Sequence, residues 1–166
     1  FRRDPIYQNI LEHTTKNDGR ICLDIILQQT PDFLDKKLNS LLQNDQIGNP
    51  ALHNYEEIGK VSPSTLAYIK VASDLRVLFG DNIGSNYAEI GCGYGGQALI
   101  LDSIYDFDNM TLFDLLPVTK LISKYLESFT LNGSYKVSTL NEASPKFYDL
   151  VLSNYAFSEL PKAIQI

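Results

Sequence analysis

Apolar and polar positions change their rhythm along this chain near residue 85. Before it, apolar residues recur at helical spacing; beyond it, short apolar runs alternate with helical stripes. Asp4-Pro5 sets a capping residue before a proline suited to the first helical position, predicting a short helix to about Thr15, ahead of Asn17-Asp18-Gly19. Residues 21–27 are almost continuously apolar and suit a buried helix or a strand; helix is the reading, because another helix follows at once. Thr30-Pro31 opens that next one, with Phe33, Leu34, Leu38, Leu41 and Leu42 on one face and Gly48-Asn49-Pro50 as its stop. Residues 50–61, with His53, Tyr55, Glu56 and Glu57, read as a linker. Ser62-Pro63 begins the clearest helix, striped by Leu66, Ile69, Ala72, Leu75 and Leu78 and closed by Gly80.

From residue 86 the pattern predicts strands alternating with helices, hence a parallel α/β sheet. Strands are expected at about 86–90, 110–114, 135–140 and 147–153. Helices are expected at 95–104, with Ala98, Leu99, Leu101 and Ile104 inward, and from Pro117, with the stripe Val118, Leu121, Ile122, Tyr125, Leu126 and Phe129. Asn132-Gly133 stops the second helix, residues 141–146 form a loop, and a last helix runs from near Phe157 to Ile166. A doubly wound sheet usually carries six or seven strands, so four imply that the C-terminal part of the sheet is missing. Phe1, standing where Met would, points to a trimmed start. The expected division is a helical extension or cap over 1–80 and the first half of a Rossmann-like domain over 81–166.

The chemistry is concentrated where the first strand meets its helix, in Asn86-Tyr-Ala-Glu-Ile-Gly-Cys-Gly-Tyr-Gly-Gly-Gln-Ala98. Glycines there let a ligand lie on the backbone, and the helix start offers unpaired N–H groups. Two spacings coexist. Gly91, Gly93 and Gly96 satisfy G-x-G-x-x-G, the dinucleotide pattern. Glu89, Gly91, Gly93 and Gly95 satisfy acid-x-G-x-G-x-G. A carboxylate at the strand end repels a diphosphate and attracts a cation such as the sulfonium and ammonium of S-adenosylmethionine, by ~4 kcal/mol at ~4 Å before desolvation and screening. Glu89 therefore favours S-adenosylmethionine over NAD, the alternative being an NAD(P)-dependent oxidoreductase. The plain alternative is a turn used only for packing. Cys92 reads as a small filler of the turn rather than a nucleophile.

Strand ends are where open α/β sheets bind ligands. Asp114, ending the second strand, suits two ribose hydroxyls through charge-assisted bonds; its other reading is a cap for the following helix. Asn141, after the third strand, suits an adenine amino group or a plain turn. Leu115 and Leu116 would cover the adenine ring. Asp149 reads as positional.

Composition changes this picture little. The 166 residues are 44% hydrophobic and 20% charged with net charge −6, which suits one soluble core and argues against a basic nucleic-acid patch. Cys22 and Cys92 are far apart with no C-x-x-C, a pattern fitting the cytoplasm. No run reaches the ~18 apolar residues of a membrane helix, no signal peptide opens the chain, and no carboxylate cluster suggests a metal.

Glu89-Ile-Gly-Cys-Gly-Tyr-Gly95 resembles motif I of class I S-adenosylmethionine-dependent methyltransferases, and Tyr148-Asp-Leu-Val-Leu-Ser-Asn-Tyr-Ala-Phe-Ser-Glu159 resembles their fourth-strand motif. With Ser62-Pro-Ser-Thr-Leu-Ala-Tyr-Ile-Lys70, the chain is similar to sugar O-methyltransferases of bacterial polysaccharide biosynthesis clusters. The resemblance implies that Glu89, Gly91, Gly93 and Gly95 surround the methionine part of the cofactor. Asp114 would hold the ribose and Asn141 the adenine edge, with Ser153, Asn154 and Tyr155 beside the methyl group. It implies methyl transfer to a hydroxyl of a sugar or other small molecule, for which a general base helps. The candidates in this sequence are His53, in the loop before the Ser62 helix, and Glu159, which could instead bind sugar hydroxyls; each has an ordinary reading as a surface or helix-start residue, and the alternative is a base beyond Ile166. The non-enzymatic alternative is a degenerate methyltransferase domain that binds without turnover.

Overall fold

The computed structural model describes residues 1–143 and 146–165. Residues 144 and 145 of the expected 141–146 loop lie outside the described residues, as does Ile166, the expected end of the last helix. The chain divides into two compact units, residues 1–81 with 99–104, and residues 82–98 with those from Tyr105 onward.

The first unit begins with α1 (Pro5–Ile10), capped by Asp4, whose side chain accepts from the Ile6 and Tyr7 amides. It stops five residues short of the predicted end. The Asn17-Asp18-Gly19 turn is not a turn; it lies in the first turns of α2 (Lys16–Gln29). The reason is a capping box: the Asp18 amide donates to Thr15 Oγ1 (3.2 Å), and the Thr15 amide donates to Asp18 Oδ2 (2.9 Å). Gly19 is tolerated in a helix because any Cβ there would overlap the Tyr55 hydroxyl. Next come α3 (Pro31–Leu41) and a 3₁₀ turn (Leu42–Asp45). Residues 50–61 are not a linker. They hold a hairpin of β1 (His53–Tyr55) and β2 (Gly59–Val61), with His53 opposite Val61 and Tyr55 opposite Gly59. Three-residue strands are too short to reveal a period of two, but Tyr55 and Val61 are its buried positions.

The helix α4 (Pro63–Phe79) packs against α2, and Ser62 caps it as expected. Leu66, Ile69, Ala72 and Leu75 are buried; Leu78, the last member of the stripe, is 70% exposed, beyond the reach of the core. The unit also buries a charged network. The fully buried Arg2 pairs with Glu12 (2.6 Å) and Asp45 (3.3 Å) and donates to Ser62 Oγ (2.9 Å) and the Asn44 carbonyl (2.8 Å). Asp45 in turn accepts from the Ser62 amide and the Thr65 hydroxyl, each at 2.7 Å, and Glu12 accepts from Ser64 Oγ (2.9 Å).

The second unit is the parallel α/β structure. Its elements are β3 (Asn86–Ile90), α5 (Gly96–Ile104), β4 (Asn109–Phe113), α6 (Leu116–Leu126), β5 (Ser134–Ser138), a 3₁₀ turn (Leu140–Glu142) and β6 (Leu150–Leu152). The last six residues of α5 count with the first unit. The sheet order is β5-β4-β3-β6, with every pair parallel. That is a Rossmann-like arrangement: the chain steps outward twice, then returns to the other side of its first strand. Apolar residues at alternating or continuous strand positions (Tyr87, Ala88, Met110, Leu112, Phe113, Leu150) are buried, as are the α6 stripe residues Ile122, Tyr125 and Leu126. Tyr94 and Tyr125 cross edge to face at 4.9 Å.

Asp149 locks the return strand in register. Its Oδ2 accepts from the Ser85 and Asn86 amides, both at 2.9 Å, and these bonds hold its carboxyl below the usual range. The single last helix expected from Phe157 is two short ones, α7 (Ala156–Glu159) and α8 (Lys162–Gln165). Pro161 separates them, as a residue without an N–H and with a ring that clashes with the preceding turn must.

Candidate functional site

The order reverses between β3 and β6, so their carboxyl ends border the crevice where open sheets take ligands. Residues 91–95 turn there from β3 into α5. Gly91, Gly93 and Gly95 have φ of 77°, 57° and 94°, in the left-handed region that glycine alone enters freely. At Gly91 space and conformation agree, since a Cβ would overlap that of Ala156. The Gly91 amide donates to the Phe113 carbonyl (2.8 Å) and the Gly95 amide to the Cys92 carbonyl (3.0 Å), so the loop is pinned to β4 and to itself.

Asp114 leaves the end of β4 toward this loop. Its Oδ2 accepts from the Gly93 amide (2.9 Å) and its Oδ1 from the Leu115 amide (2.7 Å). The residue that caps α6 is Leu115, and Asp114 stands one place before it. Each carboxylate oxygen accepts two bonds, so Asp114 keeps capacity for a ligand. Burial raises its proton affinity, partly offset by the amides of Leu115 and Gly93. Cys92 is buried; its thiol donates to the Glu89 carbonyl (3.2 Å) and is pushed up by burial and then by Glu89 and Asp114. This is the environment of a filler thiol, not a thiolate.

Glu89 is the residue out of balance. It is 2% exposed, and its Oε2 has no hydrogen-bond partner. Burial, and then the charge of Asp114, push its carboxyl up to about 8. Burial thus favours the protonated form of the acid that the sequence marks. The sequence marks the acid but cannot reveal its burial. Two acids in one partly dry site cannot both ionise cheaply without a cation.

On the β6 side, Ser153 Oγ donates to the Ile90 carbonyl (2.9 Å) and accepts from the Phe157 amide (2.9 Å). Asn154 donates to Gln97 Oε1 (3.4 Å). Gln97 was not among the sequence candidates; a polar residue at the start of a mostly apolar buried helix was the available signal. Tyr155 is 86% exposed with φ 73°, a conformation costing ~1–3 kcal/mol and common at functional sites. The Gly93–Asp114, Ser153–Ile90 and Asn154–Gln97 bonds thus join Asp114, Ser153 and Asn154 to the β3–α5 turn region. Leu115 and Leu116 are exposed beside Asp114. Asn141 is exposed in the 3₁₀ turn after β5, and Glu159 is exposed in α7. His53 sits in the hairpin of the first unit, half-buried. Among the described residues no group of three His, Cys, Asp or Glu could hold a metal, and no helix is long and apolar enough to cross a membrane.

No protein family model matches the chain, and no curated protein matches it. Among solved structures it is similar to the crystal structure of coclaurine N-methyltransferase bound to N-methylheliamine and SAH, at 12% identity and a TM-score of 0.42. The match covers 88% of this chain and 51% of that one, so the chain spans about half the length of that protein.

Proposed function

We propose that residues 81–166 form the cofactor-binding part of an S-adenosylmethionine-dependent methyltransferase, with residues 1–80 as a helical extension or cap. The observation that supports this most is Glu89. A buried acid with an unpartnered oxygen beside a glycine turn and a second acid suits a ligand that brings positive charge. Bound S-adenosylmethionine supplies an electrophilic methyl group. The left-handed glycines let its methionine part approach the backbone of Gly91, Cys92, Gly93 and Gly95. Asp114 has the lone pairs left to accept ribose hydroxyls. Leu115 and Leu116 offer apolar cover for the base, and Asn141 an amide for its edge. Ser153 and Asn154, held by the bonds given above, with Tyr155, are assigned to the methyl side.

The acceptor we assign is a hydroxyl of a sugar or other small molecule in cytoplasmic polysaccharide assembly, on the resemblance of residues 62–70, 89–95 and 148–159. Glu159 and His53 are the candidates for the base. The second reading is NAD(P)-dependent hydride transfer, favoured by the Gly91, Gly93, Gly96 spacing and by the raised proton affinity of Glu89, which weakens its repulsion for a diphosphate.

Calorimetry with S-adenosylhomocysteine and with NAD separates the two. The expected outcome is binding of the homocysteine compound, lost or weakened more than tenfold by Asp114→Ala, and transfer of labelled methyl to a sugar acceptor. Binding of NAD alone overturns the proposal. Cofactor binding with no transfer to any hydroxyl acceptor would identify a domain that binds without turnover.

A further inference from the structure

Buried acids elsewhere in the chain have partners; Glu89 Oε2 alone among the described buried carboxyl oxygens has none. None of the groups named around it is a cation. Asp114, from the end of β4, adds negative charge. Cys92, from the glycine turn, is a buried thiol whose own ionisation Glu89 and Asp114 oppose. On β6 the residue paired with Glu89 is Leu152, and Ser153 after it is neutral. No described Lys, Arg or His forms an ion pair with Glu89 or Asp114, although ion pairs form elsewhere, as between Arg2 and Glu12 or Arg76 and Asp32. Among the described residues nothing pairs this carboxyl with a counter-charge, and a proton is the simplest group that can take that place.

We infer that Glu89 carries a proton when the site is free and surrenders it to solvent when a cationic ligand docks, so that binding of a sulfonium or ammonium here is coupled to proton release. This rests on the methyl-donor reading and deepens it, because the proton makes the site selective by charge. A ligand cation replaces the proton and leaves a carboxylate paired with it. A neutral nucleoside gives the proton no reason to leave. A diphosphate, adding negative charge, holds the proton in place and binds more weakly as pH rises. The elevated proton affinity of Glu89 agrees with this ordering, since it places the exchange near neutral pH.

The test is calorimetry of the protein in buffers of different ionisation enthalpy, using S-adenosylmethionine, neutral methylthioadenosine and NAD as probes. At pH 7 the wild type is expected to release close to ~1 proton per S-adenosylmethionine and almost none with methylthioadenosine. Affinity for S-adenosylmethionine should tighten by up to about tenfold per pH unit between roughly pH 6 and 7.5. Glu89→Gln should release no proton beyond that of the ligand's own amine and lose this pH dependence. The carbon-13 shift of the Glu89 carboxyl in ligand-free wild type reads the same proton independently of any variant's folding; a protonated shift at pH 7 is expected. An ionised shift overturns the inference. If both nucleosides bind and no proton leaves, the inference falls while the cofactor assignment stands. If neither binds, or NAD alone does, both fall.

Discussion

The two units bury charge in opposite ways. In the first, Arg2, Glu12 and Asp45 sit out of water, and the bonds of Ser62, Ser64, Thr65 and the Asn44 carbonyl complete them. In the second, Glu89 is just as buried and one of its oxygens meets nothing. A satisfied network holds a fold together, whereas an unsatisfied acid costs stability and persists where something outside the chain completes it. The contrast separates a structural buried carboxylate from one poised for a ligand, though both are acidic residues in a sequence rich in them.

The sharpest way to break the contrast is at Arg2. Arg2→Met leaves Glu12 and Asp45 buried without a cation, and a loss of about 3–5 kcal/mol in chemical denaturation is expected. A loss below ~1 kcal/mol would make the network no more structural than a surface pair. Gly91→Ala comes next. It forces a Cβ into Ala156 at a φ of 77°, so a loss of at least ~1–3 kcal/mol and weakened cofactor binding are expected. Unchanged melting and binding would show that the turn tolerates side chains and is no cradle.

Glu89 itself gives a prediction in pH. Its folded proton affinity, about 8, lies above the ordinary carboxyl value of 4.5. Below pH 4.5 both states hold the proton, and the relative stability is fully present. Between there and 8 the unfolded chain has lost the proton and the native one keeps it, so stability falls as pH rises, at most ~1.4 kcal/mol per unit. Glu89→Gln should remove that slope and, in ligand-free protein at pH 8, melt higher than wild type. A variant with the wild-type pH profile would mean that Glu89 is ordinary.

The smallest effect is at Asp149, exposed and tied to the Ser85 and Asn86 amides. Its lowered proton affinity means that its contribution is present at neutral pH and fades as the carboxylate protonates in acid. Asp149→Asn should melt slightly below wild type at pH 7 and alike near pH 3; a gap that persists in acid would mean that the side chain acts by shape alone.

Much of the second unit was legible in the sequence because its signals are local. Gly91, Gly93 and Gly95 need the left-handed φ that their spacing implied, Asn86–Ile90 is a strand as read, and Asp114 does stand at a strand end beside the glycine turn. Less of the first unit was legible. The hairpin at His53–Val61 has strands too short for a period, and Asn17-Asp18-Gly19 has turn chemistry that the Thr15–Asp18 capping box and the Tyr55 contact override.

By itself, then, the sequence determined the alternation of strand and helix after residue 85, the glycine turn and the acids at its border, because each depends on neighbours a few residues away. Only the tertiary structure decided which charges are dry. Arg2 is buried because segments forty and sixty residues on close over it, and Glu89 holds a proton more tightly because the sheet removes its water while Asp114, brought in from the next strand, opposes its ionisation. Desolvation is a property of the whole packed unit, and no spacing along the chain encodes it.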